Sequence, residues 1–180
     1  MTLDGNENQR ELPKRKRTRL EYYDYSSPGA YFITFCTHNR KNTLSRIVGA
    51  IHESPALQLS KHGFIVEDII NHFPSHLKAT IAQYVIMPNH IHLIVVITDS
   101  EALQAIRESP LRARSILSKA IGYIKMNASK VIHQLYGGNR IWQRGYHDHV
   151  IRSRSDYEKI AKYIFENPER WQSDCFFNKD

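Results

Sequence analysis

The order of hydrophobic periodicities in this chain predicts an α+β fold: a ferredoxin-like antiparallel sheet of the split β-α-β type, with helices on one face and a further helix at the C-terminus. Three observations carry that prediction. Aromatic and β-branched runs of strand character occur at AYFITFCTH, KATIAQYVIMP, HIHLIVVI and IWQRGYHDHVIR. Longer stretches with roughly helical spacing of apolar residues lie between or after them. The middle two strands are joined only by Pro88-Asn89, which makes them neighbours in a hairpin. The resulting order, β-α-β-β-α-β-α, is that of the split pattern.

Taken along the chain, residues 1–24 read as a disordered basic arm. Five of the six residues from Lys14 to Arg19 are Lys or Arg, and nothing apolar repeats among them. Residues 25–180 read as a single domain, in which the first strand sets Tyr31, Ile33 and Phe35 on one face. A polar loop, NRKNTLSR, follows. Residues 55–73 read as one helix, with Pro55 near its start, Pro74 just past its end and Gly63 as a weak point inside it. After the hairpin and a polar loop at 98–110, a helical pattern runs from Leu111 to Tyr136 and is closed by Gly137-Gly138. The last helix, SRSDYEKIAKYIFENPERW, has capping-box spacing at Ser155 and Glu158 and is ended by Pro168.

With 180 residues and 41% hydrophobic content, the chain can bury one real core. Its net charge of +7 points to an acidic partner such as nucleic acid. Two cysteines without metal-type spacing suit a reducing compartment. The N-terminus has no signal-peptide pattern, and the longest apolar run, Leu93–Ile97, cannot span a bilayer. A soluble cytoplasmic protein without membrane contact is expected.

The hairpin strand YVIMPNHIHLIVVI holds the chemistry-bearing residues. Alternation puts His90, His92, Ile94 and Val96 on one face, and Ile91, Leu93, Val95 and Ile97 on the other. Two imidazoles on one face are core filler, a metal half-site or coincidence, and a second pair, His147 and His149, shows that the spacing alone discriminates little. Tyr163 and Asn167 add a hydroxyl and a carboxamide oxygen at i and i+4 on the last helix. Pro168 disfavours the α conformation at Asn167, which is therefore expected at a fraying end with its side chain turned outward.

YVIMPNHIHLIV, IWQRGYHDHVIRSRSDY and KYIFENPERW together resemble the three signature blocks of the REP-associated tyrosine transposases. These are HUH endonucleases similar to the single-tyrosine transposases of small insertion sequences. The resemblance runs from about Ser27 to Trp171. It implies that His90 and His92 are metal ligands, that Asn167 is the third, and that Tyr163 is the nucleophile. It also implies magnesium or manganese, although ligand softness alone favours zinc, copper or nickel for two imidazoles. The implied reaction cuts single-stranded DNA at repeat hairpins through a 5′-phosphotyrosine intermediate. The protein would then be bacterial and nucleoid-associated, acting as a monomer or homodimer.

Candidate DNA contacts are Lys14, Arg15, Lys16 and Arg17 in the arm, and Arg140, Trp142, Arg144, Arg152 and Arg154 around the fourth strand, where cations and aromatics interleave. His147, Asp148 and His149 are candidates for shaping the site. Two other readings stand beside this one: a non-catalytic repressor or architectural protein of the same repeats, and a zinc hydrolase using His90, His92, His147 and His149.

Overall fold

The structure, a computed structural model, describes residues 23–49, 56–98 and 115–178. Four antiparallel strands form the main sheet: β1 (Gly29–Cys36), β4 (Ala79–Ile86), β5 (His90–Ile97) and β6 (His147–Ile151), in the order β4-β5-β1-β6. This is the ferredoxin-like arrangement, with the first strand and the second hairpin strand at the centre. Helices α1 (Lys61–Asn71) and α2 (Ile116–Tyr136) cover one face, and α3 (Arg154–Glu166) lies on the other, against β4 and β5.

The strand alternation has its expected outcome. Tyr31, Ile33 and Phe35 join Ile91, Leu93, Val95 and Ile97 in the core beneath α1 and α2, into which Val66, Ile70, Leu117, Ile121 and Ile124 also pack. His90 and His92 fall on the opposite face, under α3. A bulge in β4 between Ile81 and Gln83 changes which residues face that side. Ile81 lies opposite the core residue Val95, whereas Gln83 lies opposite Ile94. Gln83 Nε2 there donates to the Ala161 carbonyl at 2.9 Å, tying α3 to the sheet.

The segment expected as one helix over 55–73 is instead a strand, a cap and a helix. Residues Ala56–Leu59 form β3, paired with β2 (Ser45–Val48) in a separate two-stranded ribbon where a loop was expected. Ser60 then caps α1, its hydroxyl accepting from Gly63 N at 3.1 Å. Apolar positions 57 and 59 fit either period over so short a run, and Ser60 is the stop that decides it. Gly63 is explained by close approach: a Cβ there would run into the Leu44 carbonyl oxygen.

The final helix also starts earlier than its expected capping box. Ser153, not Ser155, is the N-cap, accepting from Asp156 N at 3.1 Å. The fourth strand is shorter than IWQRGYHDHVIR; Trp142 makes only an isolated bridge to Thr37, and Gly145 turns the chain at φ 81° before β6. Gly137 closes α2 at φ 66°, as expected. No helix among the described residues is long and apolar enough to cross a membrane. The arm residues Lys14, Arg15, Lys16 and Arg17, and the loop at 99–110, lie outside the described residues.

Candidate metal centre and nucleophile

β5 carries His90 and His92 to the centre of the sheet, 0% and 1% exposed. Their Nε2 atoms face each other at 3.0 Å. Asn89 fixes the first ring. Its Nδ2 donates to the Phe176 carbonyl at 2.8 Å, so its Oδ1, 2.9 Å from His90 Nδ1, can only accept. His90 therefore holds its proton on Nδ1 and presents the Nε2 lone pair. Thr34, opposite His92 on β1, lies 2.7 Å from His92 Nδ1 and steadies the second ring. Both Nε2 atoms are thus aimed at one point.

Helix α3 brings Tyr163 to that point. Its hydroxyl is 3.3 Å from His92 Nε2 and donates to Asp174 Oδ2 at 3.4 Å. Its ring packs against His92 and, edge-on, against Phe32, at centroid distances of 5.2 and 6.0 Å.

Asn167 departs from its expected conformation. It keeps helical angles, φ −58° and ψ −40°, despite Pro168, and it is 0% exposed instead of turned outward. The preference against α before proline is outweighed by a tightening into the turns at 167–170, where Arg170 N donates to the Asn167 carbonyl at 3.1 Å. Asn167 Nδ2 donates to Asp174 Oδ2 at 3.3 Å, while Oδ1 has no hydrogen-bond partner. A buried, unpartnered amide oxygen costs about 1–3 kcal/mol, and a cation relieves that cost. The donor set fits a divalent ion: His90, His92 and Asp174 bring ligand atoms within 4.8 Å of one another, and Asn167 adds an oxygen.

The chain beyond α3 closes over this site. Phe176 packs at a tilt against His90, centroids 4.6 Å apart, and Arg40 lies over the Phe176 ring at 5.2 Å. Asn42 Nδ2 donates to the Asn178 carbonyl at 3.2 Å.

Burial dominates the electrostatics. It depresses His90 and His92 to about 3, leaving both neutral and able to ligate. It raises Tyr163 to about 12, with the Asp174 carboxylate adding to the effect. In metal-free protein the unfolded chain takes up protons near pH 6.5 that the folded imidazoles refuse until about 3. Stability is therefore full above pH 6.5 and falls as pH drops, by up to about 1.4 kcal/mol per unit for each ring. Urea midpoints in chelator should be clearly lower at pH 5 than at pH 7.5; equal midpoints would mean the rings are not buried neutral.

The other expected site residues scatter. His147 and His149 sit on β6, with β1 between them and the pair on β5. His149 Nε2 lies 3.1 Å from Asp156 Oδ2. Asp148 pairs in register with Ile33, on the core side. A four-histidine zinc cluster is therefore not assembled. Trp142 is buried, edge-on to Phe35, its indole donating to the Lys125 carbonyl, which leaves it no free face for a base. Arg152 and Arg154 are exposed, Arg154 paired with Glu158. Arg140 and Arg144 line one cavity with Arg40.

Sequence reading missed Thr34, Asn89, Asp174 and Phe176. Asn89 lay inside the quoted strand block but was read as a turn residue. The signal for Asp174 was only a carboxylate seven positions after Asn167.

No protein-family model matches the chain. A Haemophilus influenzae protein named only as uncharacterized is 31% identical over 172 residues, covering 91% of this chain and 93% of that one. A second protein of that organism, assigned the name REP-associated tyrosine transposase, is 27% identical over 154 residues, covering 81% of this chain and 73% of that one. Among solved structures, a REP-associated tyrosine transposase bound to a REP hairpin shares the fold at a TM-score of 0.57 and 22% identity, covering 83% of this chain and 73% of that one. With its motif blocks in order and its sheet and site residues arranged as described, the chain belongs to the REP-associated tyrosine transposase family of HUH proteins.

Proposed function

We infer that this chain is a metal-dependent single-strand DNA endonuclease and strand-transferase working at repeat hairpins, with residues 25–180 as its HUH domain and 1–24 as a basic arm. The observation that carries this reading is the Tyr163 hydroxyl 3.3 Å from His92 Nε2, inside a buried set of ligand atoms. The hairpin enters as the partner because the structural relative is described bound to one.

His90, His92 and Asn167 are the ligands in this reading, and Asp174 joins them in the closed form. Magnesium or manganese is the ion in this reading. Two imidazoles joined by a carboxylate and an amide oxygen would hold such an ion and would leave places for water and phosphate oxygens in its shell. The ion, when bound, polarises the scissile phosphate.

Tyr163 Oη attacks phosphorus in line, forming the tyrosine–phosphate bond as the bond to the 3′ oxygen breaks. The phenol proton passes to the Asp174 carboxylate, and the departing 3′ oxygen takes up a proton to leave as a hydroxyl. Rejoining reverses these steps with another 3′-hydroxyl. The bond energy is kept in the phosphotyrosine, so no nucleotide cofactor is consumed. In this reading Tyr163 serves its own chain's histidines, and the protein acts as a monomer or homodimer.

The test is covalent capture. Labelled single-stranded hairpin oligonucleotides from repeats flanking the gene are mixed with protein, with and without manganese or magnesium, and run on denaturing gels. A metal-dependent shifted band whose adducted peptide contains Tyr163 is the expected result. Native-gel binding with no adduct under any metal would instead favour the non-catalytic DNA-binding reading, which the cover of Phe176 over His90 also suits.

A further inference from the structure

We propose that the cavity between the β1–β2 turn and residues 140–144 is a binding site for a backbone phosphate of the DNA strand, next to the metal centre and separate from it. The proposal rests on the DNA-cleaving reading and assigns a place to one part of the substrate. The cavity, of about 480 Å³, is lined by His38, Asn39, Arg40, Arg140, Gln143 and Arg144. Three arginines and a histidine line it, with no acidic residue among the lining. Guanidinium stays charged at any working pH and matches phosphate oxygens in pairs, so this lining selects a phosphate-type anion.

The walls are built rather than incidental. His38 N donates to the Ile141 carbonyl at 2.8 Å and Gln143 N to the Cys36 carbonyl at 2.9 Å, clamping the two segments together. Thr37 Oγ1 donates to the carbonyls of Lys41 and Asn89, at 2.8 and 3.1 Å, anchoring the turn to the strand block that carries the histidines. Asn39 and Arg40 both hold left-handed backbones, φ 56° and 54°, a conformation L-residues rarely adopt in succession. The Gln143 and Gly145 carbonyls are taken by Lys125 Nζ, at 2.7 and 2.8 Å.

Continuity with the metal centre selects a strand of nucleic acid over a free anion. Arg40 lines the cavity and also reaches the Cys175 carbonyl at 3.5 Å and the Phe176 ring that covers His90. One side chain thus spans from cavity to site, and neighbouring phosphates of one strand can reach both.

The experiment measures binding of the Tyr163→Phe protein, without metal, to a fluorescent twenty-nucleotide oligothymidylate at several salt concentrations. The slope of log affinity against log salt counts neutralised phosphates. Arg140→Gln with Arg144→Gln should lower the slope by about one and weaken binding several-fold. Lys130→Gln, exposed on α2 and outside the cavity lining, should leave the slope alone, and lysine at both arginine positions should restore most of it. An unchanged slope in the double glutamine variant, with its thermal midpoint intact, overturns the proposal. So does an equal drop in Lys130→Gln. Inorganic phosphate at constant ionic strength should not displace the oligonucleotide; saturable displacement would make the cavity a free-anion site. No binding by the parent protein at low salt would overturn the cavity and the DNA reading together. Loss of the metal-dependent adduct, with the slope result intact, would remove the nuclease reading alone.

Discussion

Replacing Tyr163 by Phe is expected to abolish the covalent DNA adduct while leaving the fold and DNA binding intact. The substitution deletes one oxygen and keeps the ring, whose contacts with His92 and Phe32 depend on shape. The lost hydrogen bonds are long, 3.3 and 3.4 Å, so stability should change by about 1 kcal/mol or less. The loss of adduct has no partial form, because phenylalanine offers no nucleophile. The same geometry fixes the pH response of the parent protein. With Tyr163 raised to about 12, only about one molecule in ten thousand holds a phenolate at pH 8. Attack must therefore be accompanied by proton removal. Asp174→Asn, which keeps the shape and loses the acceptor, should slow adduct formation most at neutral pH and recover as pH rises and phenolate becomes available. Denaturing-gel time courses across pH check both variants. An adduct with Tyr163→Phe would mean another nucleophile. Metal-dependent cutting without an adduct would mean that water attacks.

Much of this site could be read before the fold was seen. The face of His90 and His92 followed from alternation alone, since a hydrophobic strand with two polar residues at i and i+2 must put both on one side. That Tyr163 and Asn167 share one helical face followed from their spacing, whereas the roles proposed for them came from the family resemblance. Position in space was harder to foresee. Residues 56–59 fit two periods over so short a run, and the Ser60 cap together with pairing to β2 decides their state. Asn167 was misjudged because a local preference before proline was set against tertiary contacts not visible in sequence. Trp142 looked like part of a DNA surface from its basic neighbours, but its place beside Phe35 comes from the bridge to Thr37 on a distant strand. Asp174 and Phe176 reach the histidines only after the chain folds back through the turns at 167–173, a path no periodicity encodes.

That return path leads to the second large effect, Phe176→Ala, which is expected to raise the rate of metal-dependent adduct formation several-fold, up to about tenfold. His90 is fully buried, and the Phe176 ring tilted over it at 4.6 Å covers one side of the imidazole, so in the proposed reading it must move before a phosphate reaches the centre. Phe176 is half-buried, so its ring stabilises the closed form by about 1 kcal/mol, half of a full burial, which converts to roughly a three- to tenfold excess of closed over open protein. Alanine removes the ring but retains the carbonyl that orients Asn89, and through it the His90 tautomer. For that reason the point variant is a cleaner test than deleting the segment, which would free Asn89 and disturb His90 as well. Manganese affinity gives a readout independent of catalysis. If the ring only covers the centre, affinity should hold or rise as the adduct rate rises. A fall in both would instead make Phe176 a support for the histidines. An unchanged adduct rate would mean that the open form already predominates once DNA is bound. If neither parent nor variant forms an adduct while both bind the hairpin, the closed site is the working state and the protein is a DNA-binding member of its family.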